Sequence, residues 1–400
     1  MVINNIKQRG AVSIFIVVFT ALLITVITIS FVGIMIQNQQ QATTTDLSQS
    51  AYDSAQVGVE DAKRALIYYQ NVCGGSDTTN CTQAVKNAFA PDAKCNDSVG
   101  TLSDVAVVGG EVKVQTNGVG NALNQAYTCV KIDLQTDDYI GTLGQDSSKF
   151  IPLIGVSDFN TIRVEWFSVK DLQGTTTSVD VPLFNIGKPL LSQSSWTSAT
   201  SLNRPSIMRA QLIQFNSSGF VLPDLDNSSI AASNNTLFLY PTNIANSIKA
   251  FASDVRKTTK DIMQINCSSS LASLVYSCSA TIKLPATVHV GDLTTYLNLT
   301  SIYKKANYRV TLSNSDLSCD PITRIGNGCV KFNAVQPNVD STGRANDLFR
   351  RVQARVELVD TNFPYPEAAV DLAGSLCKDF SITDNIADYR DSVTNGLCTP

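Results

Sequence analysis

The sequence contains few of the residues on which most enzyme active sites depend. It has a single histidine, His289, so a Ser–His–Asp or Cys–His arrangement would have to use that one residue. His289 stands between Val288 and Val290, which is typical of an ordinary strand position. The chain also has no Gly-x-Ser-x-Gly elbow, no phosphate-binding glycine loop and no His-Glu-x-x-His motif. We therefore predict that the protein is not an enzyme and has no catalytic residues.

Charged residues are also scarce. They make up 16% of the 400 residues, against roughly 25% in typical soluble domains. The formal net charge of −4 creates no basic field, so nucleic acid is not an expected partner. A hydrophobic content of 44% is enough for a sizeable core, and the length predicts about two compact units plus an anchor.

The ten cysteines form no Cys-x-x-Cys pair, and the single histidine leaves little for a zinc site. Their even number predicts a disulfide framework in an oxidising compartment. Spacing alone does not determine the connectivity, and we predict that each cysteine pairs with its nearest neighbour. Each short loop would contribute about 2–4 kcal/mol and would staple a local loop rather than join distant elements. The predicted pairs are Cys73–Cys81, Cys95–Cys129, Cys267–Cys278, Cys319–Cys329 and Cys377–Cys398.

No charge occurs between Arg9 and Asp46. Within this stretch, Ala11 to Ile36 is apolar apart from scattered Ser, Thr and Gly. As a helix it would be about 39 Å long, enough to cross a bilayer with some tilt. Basic residues on the N-terminal side (Lys7 and Arg9) favour a cytoplasmic N-terminus, which places the rest of the chain outside. We predict a single-pass protein of the cytoplasmic membrane, since a cleaved secretory signal would have an apolar core of only about 7–15 residues.

The helix is predicted to continue beyond the membrane. No proline occurs before Pro91, so nothing forces a break. Apolar residues then recur at spacings of four and three, which predicts one helix from about Ala11 to Tyr69. Its first half is apolar all round, and its second half has a single stripe for docking onto a globular head. The stripe consists of Leu47, Ala51, Ala55, Val59, Ala62, Leu66 and Tyr69.

The order of these parts resembles that of bacterial type IV prepilins. A basic leader ends in Lys7-Gln8-Arg9-Gly10, and an apolar helix half and an amphipathic half follow it. The stretch RGAVSIFIVVF is most similar to the PilX-like minor pilins, and the resemblance covers about 70 residues. It implies that a prepilin peptidase cleaves after Gly10, that Ala11 becomes a methylated N-terminus, and that other pilins pack against the helix.

Two departures from the major pilins are visible. Major pilins carry a glutamate at the fifth residue after the cleavage site, and Phe15 stands there in this chain. A carboxylate in the membrane is costly unless it is paired, so its loss fits a subunit with fewer axial contacts. The helix-bending proline is missing too, and Gly33 is the only soft point in that region. Both differences favour a tip or low-copy subunit.

Beyond Cys73 the periodicity changes from helical to alternating, which predicts half-buried antiparallel strands. The strands centre on Val112–Val114, Ile162–Trp166, Ala280–Leu284, Tyr308–Leu312 and Val352–Leu358. One further helix is predicted around Asn243 to Met263. The Ser/Thr-rich stretch before Pro205 is predicted to be a surface loop or a lobe boundary.

The predicted fold class is therefore α+β, with a long N-terminal transmembrane and amphipathic helix followed by a large, β-rich, disulfide-stapled ectodomain. The predicted segments are a leader (1–10), a transmembrane helix half (11–36), an amphipathic helix half (37–72), a first lobe (73–190), a linker (191–205) and a second lobe (206–400).

Several polar groups are candidate binding sites. Asp224, Asp226 and Asn227 are spaced like the first half of a calcium loop, but the glycine and the distal glutamate are missing, so a solvated turn is favoured. We predict no cofactor and no metal site, with calcium as a weak alternative. Asp137 and Asp138 form an equally weak carboxylate pair. Trp196 is a candidate sugar contact, although packing in a core or loop accounts for it better. The remaining candidates are seven Asn-x-Ser/Thr sequons and a basic patch of Arg344, Arg350, Arg351 and Arg355, which nearby Asp347, Glu357 and Asp360 offset.

The leading functional hypothesis is a minor pilin-like subunit at or near the tip of a type IV pilus. It would act in pilus assembly and initiation or in adhesion, on the cell surface after assembly. The alternative is a signal-anchored surface protein with a binding ectodomain that never enters a filament. A third hypothesis is an exported hydrolase that uses carboxylates alone.

Overall fold

The structure is a computed structural model that describes ten stretches of the chain. These are residues 11–74, 79–114, 123–174, 176–182, 193–198, 202–214, 234–243, 250–251, 263–293 and 295–358. A long N-terminal helix is followed by strands and disulfides, which confirms the predicted α+β class. The chain forms two compact units, Met1–Ile132 with Val339–Ala354, and Asp133–Asn338 with Arg355–Pro400. The units are thus divided elsewhere than at the predicted linker, residues 191–205.

The first unit combines helices with a four-stranded sheet. The helices are α1 (Ala11–Cys73), α2 (Gln83–Ala88) and α3 (Asp97–Leu102). The strands are β1 (Val112–Lys113), β2 (Ala126–Thr136), β14 (Phe332–Ala345) and β15 (Leu348–Arg355), in the spatial order β1-β2-β14-β15. The C-terminal half of α1 buries its apolar stripe in this unit, because a sheet with one apolar face needs a covering layer.

The second unit contains two sheets. Its elements are β3 (Tyr139–Leu143), β4 (Ser148–Pro152), β5 (Phe159–Ser168), a 3-10 turn (Val169–Asp171), α4 (Gln193–Trp196), β6 (Ile207–Gln214), β7 (Asn234–Thr242), β8 (Ala250–Phe251), β9 (Met263–Asn266), β10 (Tyr276–Val288), β11 (Thr295–Ile302), β12 (Ala306–Ser313) and β13 (Cys329–Val330). The first sheet has the strand order β13-β12-β5-β10-β8, with β3 also paired to β12. The second sheet has the order β4-β11-β6-β7-β9.

One hydrophobic cluster holds the two sheets of the second unit together. It joins Trp166 and Val310 of the first sheet to Leu299 and Leu239 of the second, and all four side chains are fully buried. β5 lies between β10 and β12, with Ile162 opposite both Ile282 and Leu312. The alternation of apolar and polar residues along these strands therefore turns one face of each sheet toward a common core.

Each of the five predicted strand segments overlaps a strand, namely β1, β5, β10, β12 and β15, although β1 ends at Lys113 and β15 at Arg355, before the predicted ends at Val114 and Leu358. The predicted helix around Asn243 to Met263 is wrong where the structure describes it. Ala250 and Phe251 pair in parallel with β10, and β9 begins at Met263 and pairs with β7. The remaining residues of that prediction lie outside the described part. Pairing with a neighbouring strand has overridden an apolar spacing that also fits a helix.

Four of the predicted disulfides are present, Cys73–Cys81, Cys95–Cys129, Cys267–Cys278 and Cys319–Cys329. The fifth predicted pair, Cys377–Cys398, lies outside the described residues. The expectation that the bridges only staple local loops is wrong for two of them. Cys95–Cys129 ties the start of α3 to β2, and Cys267–Cys278 ties the end of β9 to β10 across the two sheets of the second unit.

Candidate functional site in the N-terminal helix

The large apolar side chains in the first part of α1 are all exposed. Phe15 is 78% exposed, Phe19 70% and Ile29 73%, and the same holds for the other large apolar residues from Ile14 to Ile36. Leaving such side chains in water forgoes about 1.5–3 kcal/mol for each one that could be buried. The helix is long and apolar enough to cross a membrane, by its length and composition.

The hydroxyl groups in this apolar part are satisfied within the helix. Thr20 Oγ1 donates to the carbonyl oxygen of Ile16 at 2.8 Å, and Thr25 Oγ1 donates to that of Leu22 at 2.8 Å. Ser30 Oγ donates in the same way to Val26 at 2.9 Å. A hydroxyl that is bonded to its own backbone can enter hydrocarbon without leaving an unpaired donor. The scattered Ser and Thr are therefore compatible with a membrane span.

A polar segment separates the apolar part from the docked part of α1. Residues 37–46 are exposed, and at 1.5 Å per residue they span about 15 Å. The hydroxyls of Thr43, Thr44 and Thr45 donate to backbone oxygens one turn earlier, at 2.8–2.9 Å. The predicted continuous helix is thus confirmed across this segment, and it also continues through Gly33.

The docked part of α1 buries the predicted stripe. Ala51, Ala55, Val59, Ala62 and Leu66 are buried, while the two end members of the stripe are half-buried. Small side chains on this face let the helix approach the sheet closely. At Gly343 of β14, an added Cβ would lie only 2.2 Å from Ala51 O and from Ala55 N. The glycine therefore sets how closely helix and sheet can pack.

A buried carboxylate fixes the same helix to β2. Asp61 is 5% exposed, and the hydroxyl of Tyr127 donates to its Oδ2 at 2.8 Å. Arg64 Nη1 donates to Oδ1 at 3.0 Å, and Ser103 Oγ donates to the backbone oxygen of Asp61 at 2.7 Å. Burial, and secondarily the hydrogen bond to Asp61, raises the pKa of Tyr127 well above its usual value, so the hydroxyl remains a donor.

Sequence reasoning missed this carboxylate and its partners, as it missed the role of Gly343. Tyr127 lies 66 residues from Asp61, and no local pattern marks either residue as one of a pair. Of the predicted processing residues, Ala11 is the first residue of α1, whereas Lys7, Arg9 and Gly10 lie outside the described part.

The arginines that were considered as a basic patch are each engaged by a neighbouring group. Arg344 pairs with Glu111 at 2.6 Å, and Arg351 pairs with Asp340. Arg350 donates to Ser48 Oγ on α1 at 2.8 Å, and Arg355 pairs with Asp138 at 2.9 Å. These pairings leave no concentrated positive field on β14 and β15. The offsetting carboxylates are Glu111, Asp340 and Asp138 in place of the predicted Asp347 and Glu357, and Asp360 lies outside the described residues.

The calcium candidates gain no support from the described residues. Asp138 is occupied by Arg355, and Asp137 lies 4.0 Å from Lys331. Within the described part of the chain, no group of three or more His, Cys, Asp or Glu side chains could hold a metal ion. Asp224, Asp226 and Asn227 lie outside that part. The absence of a cofactor stays a prediction.

Trp196 is a packing residue. It is fully buried, its Nε1 donates to Pro205 O at 3.0 Å, and the Tyr240 ring packs edge-on at 5.2 Å. The guanidinium of Arg204 lies over its ring at 5.4 Å. The packing interpretation is confirmed, and the sugar-contact alternative is wrong.

Two of the sequons are buried and cannot accept a glycan in the folded protein. Asn96 is 1% exposed, and its amide donates to Gly110 O at 2.8 Å and accepts from Val130 N at 2.8 Å. Asn298 is 4% exposed within β11. The other sequons are Asn80, which is exposed, Asn266, which is half-buried, and Asn216, Asn227 and Asn234, whose side chains are not described.

His289 lies directly after β10 rather than within the strand, so the expected strand position is wrong by one residue. Its Nδ1 is 2.8 Å from Asp158 Oδ2, and Asp158 Oδ1 accepts from Val290 N at 2.9 Å. The hydrogen bond raises the pKa of His289 and lowers that of Asp158. Both side chains are exposed, and together they fasten two loops.

An open cavity of about 510 Å³ lies in the second unit. Its lining includes Ser178, Asp180, Asn203, Asn243 and Ser269. Among the described lining residues Asp180 is the one carboxylate, and it is paired with Arg204 at 2.7 Å. A hydrolase that uses two carboxylates would need a second acid roughly 5–10 Å away, which these described residues do not include.

No family model, no curated protein and no solved structure matches this chain.

Proposed function

We propose that the protein is a minor pilin-like subunit of a type IV pilus, placed at or near the tip. The observation that carries this proposal is the form of α1. α1 (Ala11–Cys73) is unbroken over 63 residues, the side chains of its apolar part are exposed, and one face of its C-terminal part packs in the first unit. Ala11 follows the Arg9-Gly10 pair in the sequence. One helix thus has an exposed apolar part and a part packed against the ectodomain. This arrangement suits a subunit whose apolar helix segment moves from the lipid bilayer into a bundle of other subunits' helices.

Assembly follows from the same division. The apolar part is held in the cytoplasmic membrane as a single span, and on assembly it leaves the lipid and packs among the helices of other subunits. Phe15 occupies the position where a glutamate would need a paired amine, so this subunit enters the bundle without that ionic contact. A low-copy place at the end of a filament fits a helix with fewer axial contacts.

The ectodomain would be carried outside the cell and act in pilus initiation or in adhesion. The four disulfides support this location, because such bridges persist in oxidising compartments. A gene deletion separates the two roles. Loss of filaments supports initiation, whereas loss of attachment at an unchanged filament number supports adhesion.

The second candidate is a signal-anchored surface protein whose helix never enters a filament. The continuous span and the folded, disulfide-bonded ectodomain support it equally. The two proposals differ in processing, since only the pilin-like subunit requires cleavage after Gly10 by a prepilin peptidase.

Intact-mass measurement and N-terminal sequencing of the protein from its own cells test the choice. We expect a methylated N-terminus at Ala11 in the wild type and retention of the leader in a Gly10→Val variant. The matched control is Gly33→Ala, where an added Cβ meets nothing within 4 Å and cleavage should be normal. A mature chain that still begins at Met1 would favour the anchored protein.

A further inference from the structure

Three loops of the second unit meet at one end of its six-stranded sheet. Phe159, the first residue of β5, lies opposite Val288 at the end of β10, and Thr161 lies opposite Ser313 at the end of β12. β5 lies between the other two strands. The loop before β5 and the loops after β10 and β12 therefore lie side by side.

Two of these loops expose aliphatic side chains, which we call the loop patch. It consists of Val290 (60% exposed) and Leu293 (43%) after β10, and of Leu317 (51%), Ile322 (71%) and Ile325 (72%) after β12. Single exposed aliphatic residues are common on proteins, whereas a group of them on adjacent loops marks an interaction surface.

The loop that bears the two isoleucines is held in one conformation. The Cys319–Cys329 disulfide closes it, and the Asp320 carboxylate accepts the backbone N–H groups of Ile322 at 2.8 Å and Thr323 at 2.9 Å. The guanidinium of Arg324 donates to Leu312 O at 2.9 Å and to Val330 O at 2.8 Å. Binding through a preorganised loop costs little conformational entropy.

The neighbouring loops are fastened to the same end of the sheet. Asp158 holds His289 and Val290 at 2.8 and 2.9 Å, and Asn160 Oδ1 accepts from Ser315 N at 2.8 Å. The loop patch is thus a fixed surface assembled from separate parts of the chain.

The charges around the loop patch are mainly negative. Its carboxylates are Asp158, Asp292, Asp316 and Asp320. Fewer cations lie at this end. Arg324 binds two backbone oxygens, exposed Lys283 of β10 lies opposite Thr161, and Lys331 lies 4.0 Å from the carboxylate of Asp137, which offsets it. His289 is paired with Asp158. An acidic rim disfavours an anionic bilayer, and it disfavours a second copy that would bring its own acidic rim.

We propose that the loop patch docks a partner protein that presents aliphatic side chains within a rim of lysine or arginine. Aliphatic contact supplies the affinity, and the opposed charges set orientation and partner choice. The proposal uses only residues of the second unit, so it holds whether or not the chain enters a filament.

The test measures binding of two designed helical peptides to the full-length protein in zwitterionic nanodiscs. One peptide has a leucine face and lysines elsewhere, and the other has glutamates in place of the lysines. Fluorescence anisotropy, corrected with empty nanodiscs, should show about tenfold tighter binding of the lysine peptide, and the difference should shrink as salt is raised.

The decisive variant is Ile322→Ser with Ile325→Ser, which removes aliphatic surface and leaves the acidic rim intact. We expect the affinity for the lysine peptide to fall by about tenfold or more, because two large side chains no longer contribute. The matched control is Val169→Ser with Val275→Ser, a pair of aliphatic residues 57% and 65% exposed at the opposite end of the same sheet. This control should bind as the wild type does.

An unchanged affinity in the isoleucine variant would overturn the proposal. The same holds if the glutamate peptide binds as tightly as the lysine peptide, or if the control pair weakens binding as much as the isoleucine pair. Thermal unfolding of each variant checks that the serines have left the fold intact. If the isoleucine variant unfolds early, Ile322→Ser alone replaces it, with the same expected direction.

Discussion

Asp61 shows how one buried charge can fix the orientation of a long helix. Its carboxylate is buried on α1, where an ionised group is costly unless polar partners surround it. Tyr127 supplies one partner from β2 and Arg64 supplies another from the helix itself. A rotation of α1 about its axis would break the hydrogen bond to Tyr127, so the pair fixes the rotational orientation of the helix relative to the sheet.

Replacing Tyr127 by Phe should test this role. The variant keeps the ring and removes the donor, which leaves Asp61 Oδ2 without its partner from β2. We expect a loss of about 1–3 kcal/mol in the free energy of unfolding, measured by denaturant titration. Tyr68→Phe on the exposed side of α1 is the control and should stay within about 0.5 kcal/mol of the wild type. Equal stability of the two variants would contradict the role assigned to the pair.

His289 makes a second residue-scale prediction, because it is the only histidine in the chain. Its bond to Asp158 raises the pKa of His289 above 6.5, and the same bond lowers the pKa of Asp158 below 3.8. NMR titration should follow a single imidazole signal with a pKa above 6.5. In Asp158→Asn the pKa of His289 should be lower than in the wild type, because the hydrogen bond to the carboxylate is lost.

The stability effect of this pair has a defined sign. A raised histidine pKa contributes stability that is complete below about 6.5 and is lost as the pH rises through the folded-state pKa. The lowered pKa of Asp158 contributes stability that is lost as the pH falls below its usual range near 3.8. The difference in denaturation midpoint between wild type and Asp158→Asn should therefore be largest between these limits. A difference that grows above pH 8 would contradict the assignment.

At the scale of elements, the approach of α1 to β14 depends on the missing side chain at Gly343. A Cβ there would meet the backbone of α1 at Ala51 and Ala55, which cannot move aside as a side chain can. We expect Gly343→Ala to lower the free energy of unfolding by about 1–3 kcal/mol through overpacking. Gly33→Ala is the control, since its site is open and alanine favours helix. A neutral Gly343→Ala would show that helix and strand can separate without cost.

The elements differ in how far the sequence could predict them. α1 was predictable because its signals are local, an uncharged apolar run, a stripe with helical spacing and no proline. β5 and β12 were predictable because apolar and polar residues alternate along them, although the polar positions Thr161 and Glu165 of β5 are buried as well. At residues 250–251 the local apolar spacing predicted a helix, but these residues form a strand because they pair with β10. The Asp61–Tyr127 bond and the glycine at Gly343 depend on contacts far apart in the chain, which no local pattern encodes.

The disulfides show the same limit. Nearest-neighbour pairing correctly predicted the four bridges that the structure describes, because short loops close most readily. Their structural role could not be predicted in the same way. Cys267 and Cys278 are 11 residues apart in sequence and both are buried, yet Cys267 directly follows β9 of one sheet and Cys278 lies in β10 of the other. The short sequence separation thus predicted which cysteines pair, but not that the disulfide connects two sheets.

At the scale of the whole molecule, anchoring and folding are separable along α1. The side chains of residues 14–46 are exposed, and the buried stripe begins at Ala51. A chain that begins at Gln37 and is exported behind a cleavable signal should therefore fold, form its disulfides and remain soluble. We expect its thermal midpoint to lie within a few degrees of that of the full-length protein in detergent, roughly the shift produced by 1 kcal/mol or less.

A shorter chain that begins at Asp61 supplies the contrast. It loses Ala51, Ala55 and Val59 from the buried stripe, and it uncovers the part of the sheet that Gly343 brings against the helix. Because these side chains are part of the core of the first unit, we expect the shorter chain to expose apolar surface, bind a hydrophobic dye and unfold at a lower temperature. If the chain that begins at Gln37 also unfolds at a lower temperature than the full-length protein, the exposed apolar part of α1 is needed for folding. Anchoring and folding would then not be separable along the helix.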